Sequence, residues 1–215
     1  MKYKLAIIDL DGTILDTLGD LSAAVNYAQR QAGLPESTPE ETRRHLGNGA
    51  RRLVTGCTPS ASADQREALL QDFATYYQAH SMELTRPYEG MAELVEALRK
   101  QGCRSVVLSN KLHPAVRPLT DHFYPGSFDM AYGERPGIPR KPAPDATLSI
   151  LREMNVEPEH AVYIGDSEVD LATGQNAGLD TVCVDWGFRT HEQLEEAGAT
   201  CIVSTPEELL EVLMK

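Results

Sequence analysis

Apolar positions along this chain follow two rhythms. One consists of short, nearly unbroken runs: Leu5-Ala6-Ile7-Ile8, Val106-Val107-Leu108 within Arg104 to Leu108, Met130-Ala131-Tyr132, Ala161-Val162-Tyr163-Ile164, Thr181 to Val184 and Cys201 to Val203. Runs this short, bounded by turn residues, read as strands buried on both faces. The other rhythm is helical. Leu18, Leu21, Val25 and Ala28 share one face of a stretch from about Asp16 to Gly33, which Gly33 and Pro35 end. A second helix is predicted from Thr38 to Leu46, with Pro39 at its first position. The Gly47-Asn48-Gly49 loop and a short helix through Leu53 follow, then a longer helix capped between Ser60 and Gln65 and running to about His80. Beyond Pro87 strands and helices alternate, with helices at Met91 to Gln101, from His113, at Ala143 to Met154, at Val169 to Ala177 and at Pro206 to Met214.

Alternation of this kind predicts an α/β fold: a Rossmann-like parallel sheet with right-handed crossovers, flanked by helices. The all-helical stretch after the first strand predicts an inserted α-helical cap domain. The core is then residues 1–15 and 85–215, and the cap 16–84. The insert begins five residues after Asp11, which puts it over the sheet edge where the first strand ends. A lid is its natural role; the alternative is a decorative insertion without contact to a site.

Composition narrows the partners. The net charge of −12 on 215 residues disfavours nucleic acid and anionic membrane surfaces, although acidic surfaces also simply keep proteins soluble. From Thr42 to Ala63, however, the charged side chains are Arg43, Arg44, Arg51 and Arg52 alone. The four cysteines, Cys57, Cys103, Cys183 and Cys201, lack metal-type spacing and read as reduced thiols. No leader is apparent at the Met-Lys-Tyr-Lys start, and no apolar run approaches ~18 residues. The expectation is a cytoplasmic monomer or homodimer.

The strand ends carry the chemistry. The first run delivers Asp9-Leu10-Asp11-Gly12-Thr13, two carboxylates two residues apart at a glycine turn. Two acids at one spot need a cation, a proton or a chemical role. A later run ends in Gly165-Asp166-Ser167, with Asp170 four residues past Asp166. Between them lie Val106-Val107-Leu108-Ser109-Asn110, a strand ending in small polar groups, and Arg140-Lys141-Pro142. In isolation Asp-Gly is a common turn, Ser109-Asn110 a helix cap and Lys141 a solvated loop lysine. Together they mark one edge of a parallel sheet, where ligands bind.

Asp9-x-Asp11-Gly12-Thr13, Ser109-Asn110, Lys141-Pro142 and Gly165-Asp166-Ser167-x-x-Asp170 resemble, in order and spacing, the four motifs of the haloacid dehalogenase superfamily. The helical insert is similar to that superfamily's cap. Arg44-His45-Leu46-Gly47-Asn48-Gly49-Ala50, Pro87-Tyr88-Glu89-Gly90-Met91 and Asp185-Trp186-Gly187-Phe188 resemble stretches of its phosphoglycolate phosphatase-like members. The resemblance implies a Mg²⁺-dependent phosphomonoester hydrolase. Asp9 is then the nucleophile and Asp11 the general acid and base. Asp9 and Asp166 bind the metal with the Asp11 backbone carbonyl, and Asp170 either orients them or joins the metal site. Ser109, Asn110 and Lys141 hold phosphate, beside the Gly12-Thr13 turn.

Asp11 argues for an oxygen leaving group, because the dehalogenases lack this aspartate. The absence of lysine from Thr13 to Arg99 removes the Schiff-base lysine of phosphonate hydrolysis. For the substrate, the Gly47-Asn48-Gly49 turn and the arginines beside it are the candidates: the turn, with Asn48, to approach the ligand closely, and Arg44 and Arg51 to hold a second anionic group, with His45 structural. The arginines otherwise form a solvated face. Phosphoglycolate is the leading expectation. The alternatives are a β-phosphoglucomutase-like mutase, an inorganic pyrophosphatase and a non-catalytic phosphate-binding regulator.

Overall fold

The computed structural model describes residues 2–215. Six strands form one parallel sheet: β1 (Leu5–Ile8), β4 (Arg104–Leu112), β5 (Met130–Glu134), β6 (Ala161–Gly165), β7 (Asp180–Val184) and β8 (Ile202–Val203), in the order β5-β4-β1-β6-β7-β8. The two-residue strands β2 (Leu15–Asp16) and β3 (Arg86–Pro87) pair antiparallel where the chain leaves and re-enters this core.

Side-chain alternation along β1 explains the layers. Ala6 and Ile8 face one cluster with α5 (Met91–Lys100), α6 (His113–Phe123) and α10 (Pro206–Met214). Leu5 and Ile7 face the other, with α7 (Asp145–Met154) and α8 (Glu168–Ala177). A short α9 (His191–Glu196), not anticipated from the sequence, buries Leu194 against Leu171 and Cys183. All four cysteines are free. Among the described residues no helix is long and apolar enough to cross a membrane.

The segment between β2 and β3 is helical: α1 (Leu18–Gln31), α2 (Pro39–Arg43), α3 (Ala50–Cys57) and α4 (Ala63–His80). Capping boxes at Thr38 and Ser62 fix the starts of α2 and α4. The apolar stripe of α1 packs with Leu53, Leu69, Phe73 and Tyr77 into a separate core, which the buried Phe188 of the sheet domain joins. The buried Asp20 carboxylate ties both ends of the insert together, accepting from the backbone N–H of Leu84 (2.9 Å) and Thr85 (2.8 Å).

One expected boundary is corrected. β4 does not stop at Leu108 but runs on to Leu112, with a register shift against β5 between those residues. The polar sequence after Leu108 stays in strand geometry because its side chains find buried partners at the sheet edge. That continuation carries Lys111 into the interior.

Candidate active site

Strand register assembles the site. Chain order reverses about β1, since β4 lies on one side of it and β6 on the other. This is where a parallel sheet opens a crevice. Ile8 is level with Val107 and Ile164, so Asp9, Ser109 and Asp166 emerge at one edge. Glycines permit the close approach. Gly12 has φ +87°, and a β-carbon there would strike the Asp166 carboxylate; one on Gly165 would strike Asp170. The first turn of α8 thereby lays Asp170 beside the ends of β1 and β6.

Lys141 is the hub of this cluster. Its side chain is 3 % exposed, and its ammonium lies 2.7 Å from Asp170 Oδ1, 2.8 Å from Asp9 Oδ1 and 3.1 Å from the Leu108 carbonyl. The approach to Asp9 is an ion pair without hydrogen-bond alignment, which leaves Asp9 Oδ1 unbonded. Ser167 Oγ donates to the other Asp170 oxygen at 2.5 Å, so Asp170 is occupied in holding Lys141. Asp166 accepts from the Phe188 N–H (2.7 Å) and from Thr13 Oγ1 (3.4 Å).

Oxygens of Asp9, Asp166 and Asp170 all lie within 4.8 Å of one another. Three buried carboxylates lie together, and one ammonium pairs with two of them. Burial and the charge of Asp170 raise the Asp9 pKa to about 7, against the pull of Lys141, and burial with Asp170 and Asp9 raises that of Asp166. A hard, oxygen-only donor set with excess negative charge and an unbonded Asp9 oxygen fits Mg²⁺. The Asp11 carboxylate is not in this trio.

Asp11 turns toward a second lysine, one the sequence reading missed. Lys111 Nζ lies 2.7 Å from Asp11 Oδ1, which also accepts from Thr17 Oγ1 at 2.6 Å. Burial opposes the Lys111 charge, but Asp11 and Tyr77 outweigh it and the pKa rises. The ammonium sits 4.5 Å from the Tyr77 ring centroid. Two signals pointed to Lys111: it directly follows Ser109-Asn110, and lysine is scarce, with six in the chain.

The remaining expected residues divide. Ser109 lines the cleft, its oxygen accepting from the Lys111 N–H at 3.1 Å, so its proton is free for a ligand. The Asn110 amide donates to the carbonyls of Gly47 (3.0 Å) and Lys141 (3.1 Å). It clasps the cap, helped by Arg189 on the Leu46 carbonyl (3.1 Å) and Arg140 on that of Asn48 (3.4 Å). Asn48 therefore contributes its backbone to closure. Arg44, 67 % exposed, pairs with Glu40, and Arg51, 57 % exposed, pairs with Glu67. The structure does not bring these two arginines to the cleft. Between cap and core lies a cavity of about 430 Å³. Asp9, Asp11 and Ser109 line it together with apolar residues such as Leu53, Phe73 and Leu112, and its only lining cation among the described residues is Lys111.

A family model described as haloacid dehalogenase-like hydrolase matches residues 6–184. The chain belongs to that family. Among solved structures, this hydrolase is similar to a candidate phosphoglycolate phosphatase from Lactobacillus delbrueckii subsp. bulgaricus. The TM-score is 0.94 at 38 % identity, covering 99 % of each chain. The hydrolase is 31 % identical to an N-acetylmuramic acid 6-phosphate phosphatase of Pseudomonas aeruginosa over 99 % of this chain and 96 % of that one. It is 30 % identical to a phosphoglycolate phosphatase of Aquifex aeolicus over 86 % of both. Its relatives are phosphatases, and it is an enzyme of that kind.

Proposed function

We propose that this hydrolase cleaves phosphomonoesters of small acidic alcohols through an aspartyl-phosphate on Asp9, with Mg²⁺. The observation that carries the reading is the division of labour between the two aspartates. Asp9 lies in the buried trio with an unbonded oxygen beside Lys141, while Asp11 faces the cavity with Lys111 and Thr17.

An Asp9 oxygen attacks phosphorus and forms the new P–O bond. The bond from phosphorus to the ester oxygen breaks, and the proton of Asp11 goes to that oxygen as the alcohol leaves. Asp11 then takes a proton from water, which attacks phosphorus, frees inorganic phosphate and restores Asp9. Lys141 and the Ser109 hydroxyl hold the phosphoryl oxygens, with their positions fixed before the substrate arrives. Asp9 and Asp166, with Asp170 and the Asp11 backbone beside them, would hold Mg²⁺, which when bound would supply charge neutralisation for an anionic nucleophile meeting an anionic ester. The cap, clasped at Leu46, Gly47 and Asn48, excludes bulk water.

The substrates named for the two curated relatives are both phosphates of acids, which supports an acidic leaving group here. The test is Asp9→Asn assayed on p-nitrophenyl phosphate with Mg²⁺. Wild type turns over; the variant keeps its circular-dichroism spectrum and loses at least about a thousandfold in kcat. Normal turnover by the variant removes Asp9 as nucleophile. Isomerisation of a sugar phosphate without phosphate release replaces the hydrolase with a mutase.

A further inference from the structure

The phosphate end of the cleft is accounted for, but two polar groups in the cavity are not. Lys111 is buried with three N–H donors, and Asp11 Oδ1 is its hydrogen-bonded acceptor. Tyr77 is 5 % exposed, lies against that ammonium and lines the cavity, and its hydroxyl proton has no acceptor. A buried hydroxyl proton without an acceptor costs stability unless something else completes it. The phenol oxygen can accept from Lys111, but its own proton and the remaining Lys111 protons can only be donated, so what completes the pair is an acceptor, and beside a fixed ammonium an anionic one is favoured.

Position sets which part of the substrate this is. The leaving oxygen must reach Asp11 to be protonated, and Lys111 is 2.7 Å from Asp11. The acceptor therefore lies within a few bonds of the ester oxygen. The rest of the leaving group meets Leu53, Phe73 and Leu112. About 430 Å³ falls within the ~300–1,000 Å³ range of cavities that enclose drug-sized ligands. A two-carbon acid fills a small part of it.

Resting on the hydrolase reading above, we propose that Lys111 and Tyr77 are the specificity pair for a carboxylate next to the ester carbon, and that the preferred substrates are phosphate esters of 2-hydroxy acids bearing an apolar side chain. Phosphoglycolate satisfies the carboxylate and leaves the apolar wall empty. An alkyl or aryl phosphate without a carboxylate fills the wall and leaves the spare Lys111 protons and the Tyr77 hydroxyl proton without an acceptor.

Three esters separate these contributions: 2-phosphoglycolate, the phosphate ester of 3-phenyllactate, and 2-phenylethyl phosphate. The expected kcat/KM is highest for the phenyllactate ester, at least about tenfold above each of the others. Tyr77→Phe, which keeps the ring and removes only the hydroxyl, should lower kcat/KM about five- to tenfold on the two carboxylate esters. On 2-phenylethyl phosphate it should change less than about twofold. Equal rates on the phenyllactate and phenylethyl esters, or an equal effect of Tyr77→Phe on all three, overturn the specificity pair while p-nitrophenyl phosphate turnover keeps the hydrolase reading intact. No cleavage of any ester, p-nitrophenyl phosphate included, overturns both.

Discussion

The two ends of the cleft are built on opposite physics. At the sheet edge, charge is crowded: Asp9, Asp166 and Asp170 lie together with little solvent exposure, and Lys141 pairs with Asp9 and Asp170. Under the cap, apolar side chains surround a single ion pair, Lys111 with Asp11. Each end has a buried lysine, and the two do different work. Lys141 touches two carboxylates and holds an anionic cluster together. Lys111 touches one and keeps donors to spare. The first arrangement suits a phosphoryl group and a metal ion, whose chemistry is the same for every ester. The second suits an alcohol, the part that differs between substrates.

Removing Lys141 is the most direct way to break this contrast. Lys141→Met takes the compensating charge from Asp9 and Asp170 and the donor from the phosphoryl group. A fall in kcat of about 10²–10³ on every ester is expected. The metal-free protein should also lose roughly 3–5 kcal/mol in urea titrations, because breaking a buried pair leaves uncompensated charge. An effect that varied with the leaving group would place Lys141 at the wrong end of the cleft.

The next effect is on pH and metal. The folded-state pKa of Asp9 is about 7, above its ordinary 3.8. The folded protein therefore binds more protons than the unfolded chain between those values. The stabilising proton is fully present below pH ~4 and is lost as pH rises through about 7. Without metal, the melting temperature should fall across that window, and the upward shift of Asp166 acts in the same direction. Magnesium bound by this trio would compete with the proton, so its stabilising shift should be larger at pH 8 than at pH 5.5 in thermal melts. A Mg²⁺ shift independent of pH would show that the ion binds away from this trio.

The same contrast explains what the sequence disclosed. The charged end was legible because it is built from strand ends. Once the apolar runs at Leu5–Ile8, Arg104–Leu108 and Ala161–Ile164 are read as neighbouring parallel strands, Asp9, Ser109 and Asp166 must meet. Lys141 and Asp170 follow from chain order and the α8 start. The apolar end was not legible, since it depends on how α3 and α4 settle over the sheet. Helical periodicity marks Phe73 and Tyr77 as inward-facing without saying whether inward means core or cavity. Lys111 was hidden for a local reason: a strand taken to end at Leu108 leaves residue 111 in a loop, whereas β4 continues and buries it.

The smallest effect concerns the arginines near the cap loop. Their density was visible in the sequence, but their partners were not. Glu67, sixteen residues after Arg51, lies one helix away, and only the packing of α3 beside α4 makes it a neighbour, with Arg51 Nη2 3.1 Å from Glu67 Oε2. A pair this exposed is screened by water and held loosely. Arg51→Ala should therefore change kcat/KM by less than about twofold on 2-phosphoglycolate and on the phenyllactate ester alike. A larger loss confined to carboxylate esters would mean that Arg51 leaves Glu67 and swings inward when substrate binds, and that the cap carries a second anion-binding group besides Lys111. An unchanged value keeps substrate charge recognition on β4 and α4, and leaves the basic stretch as a solvated helix face.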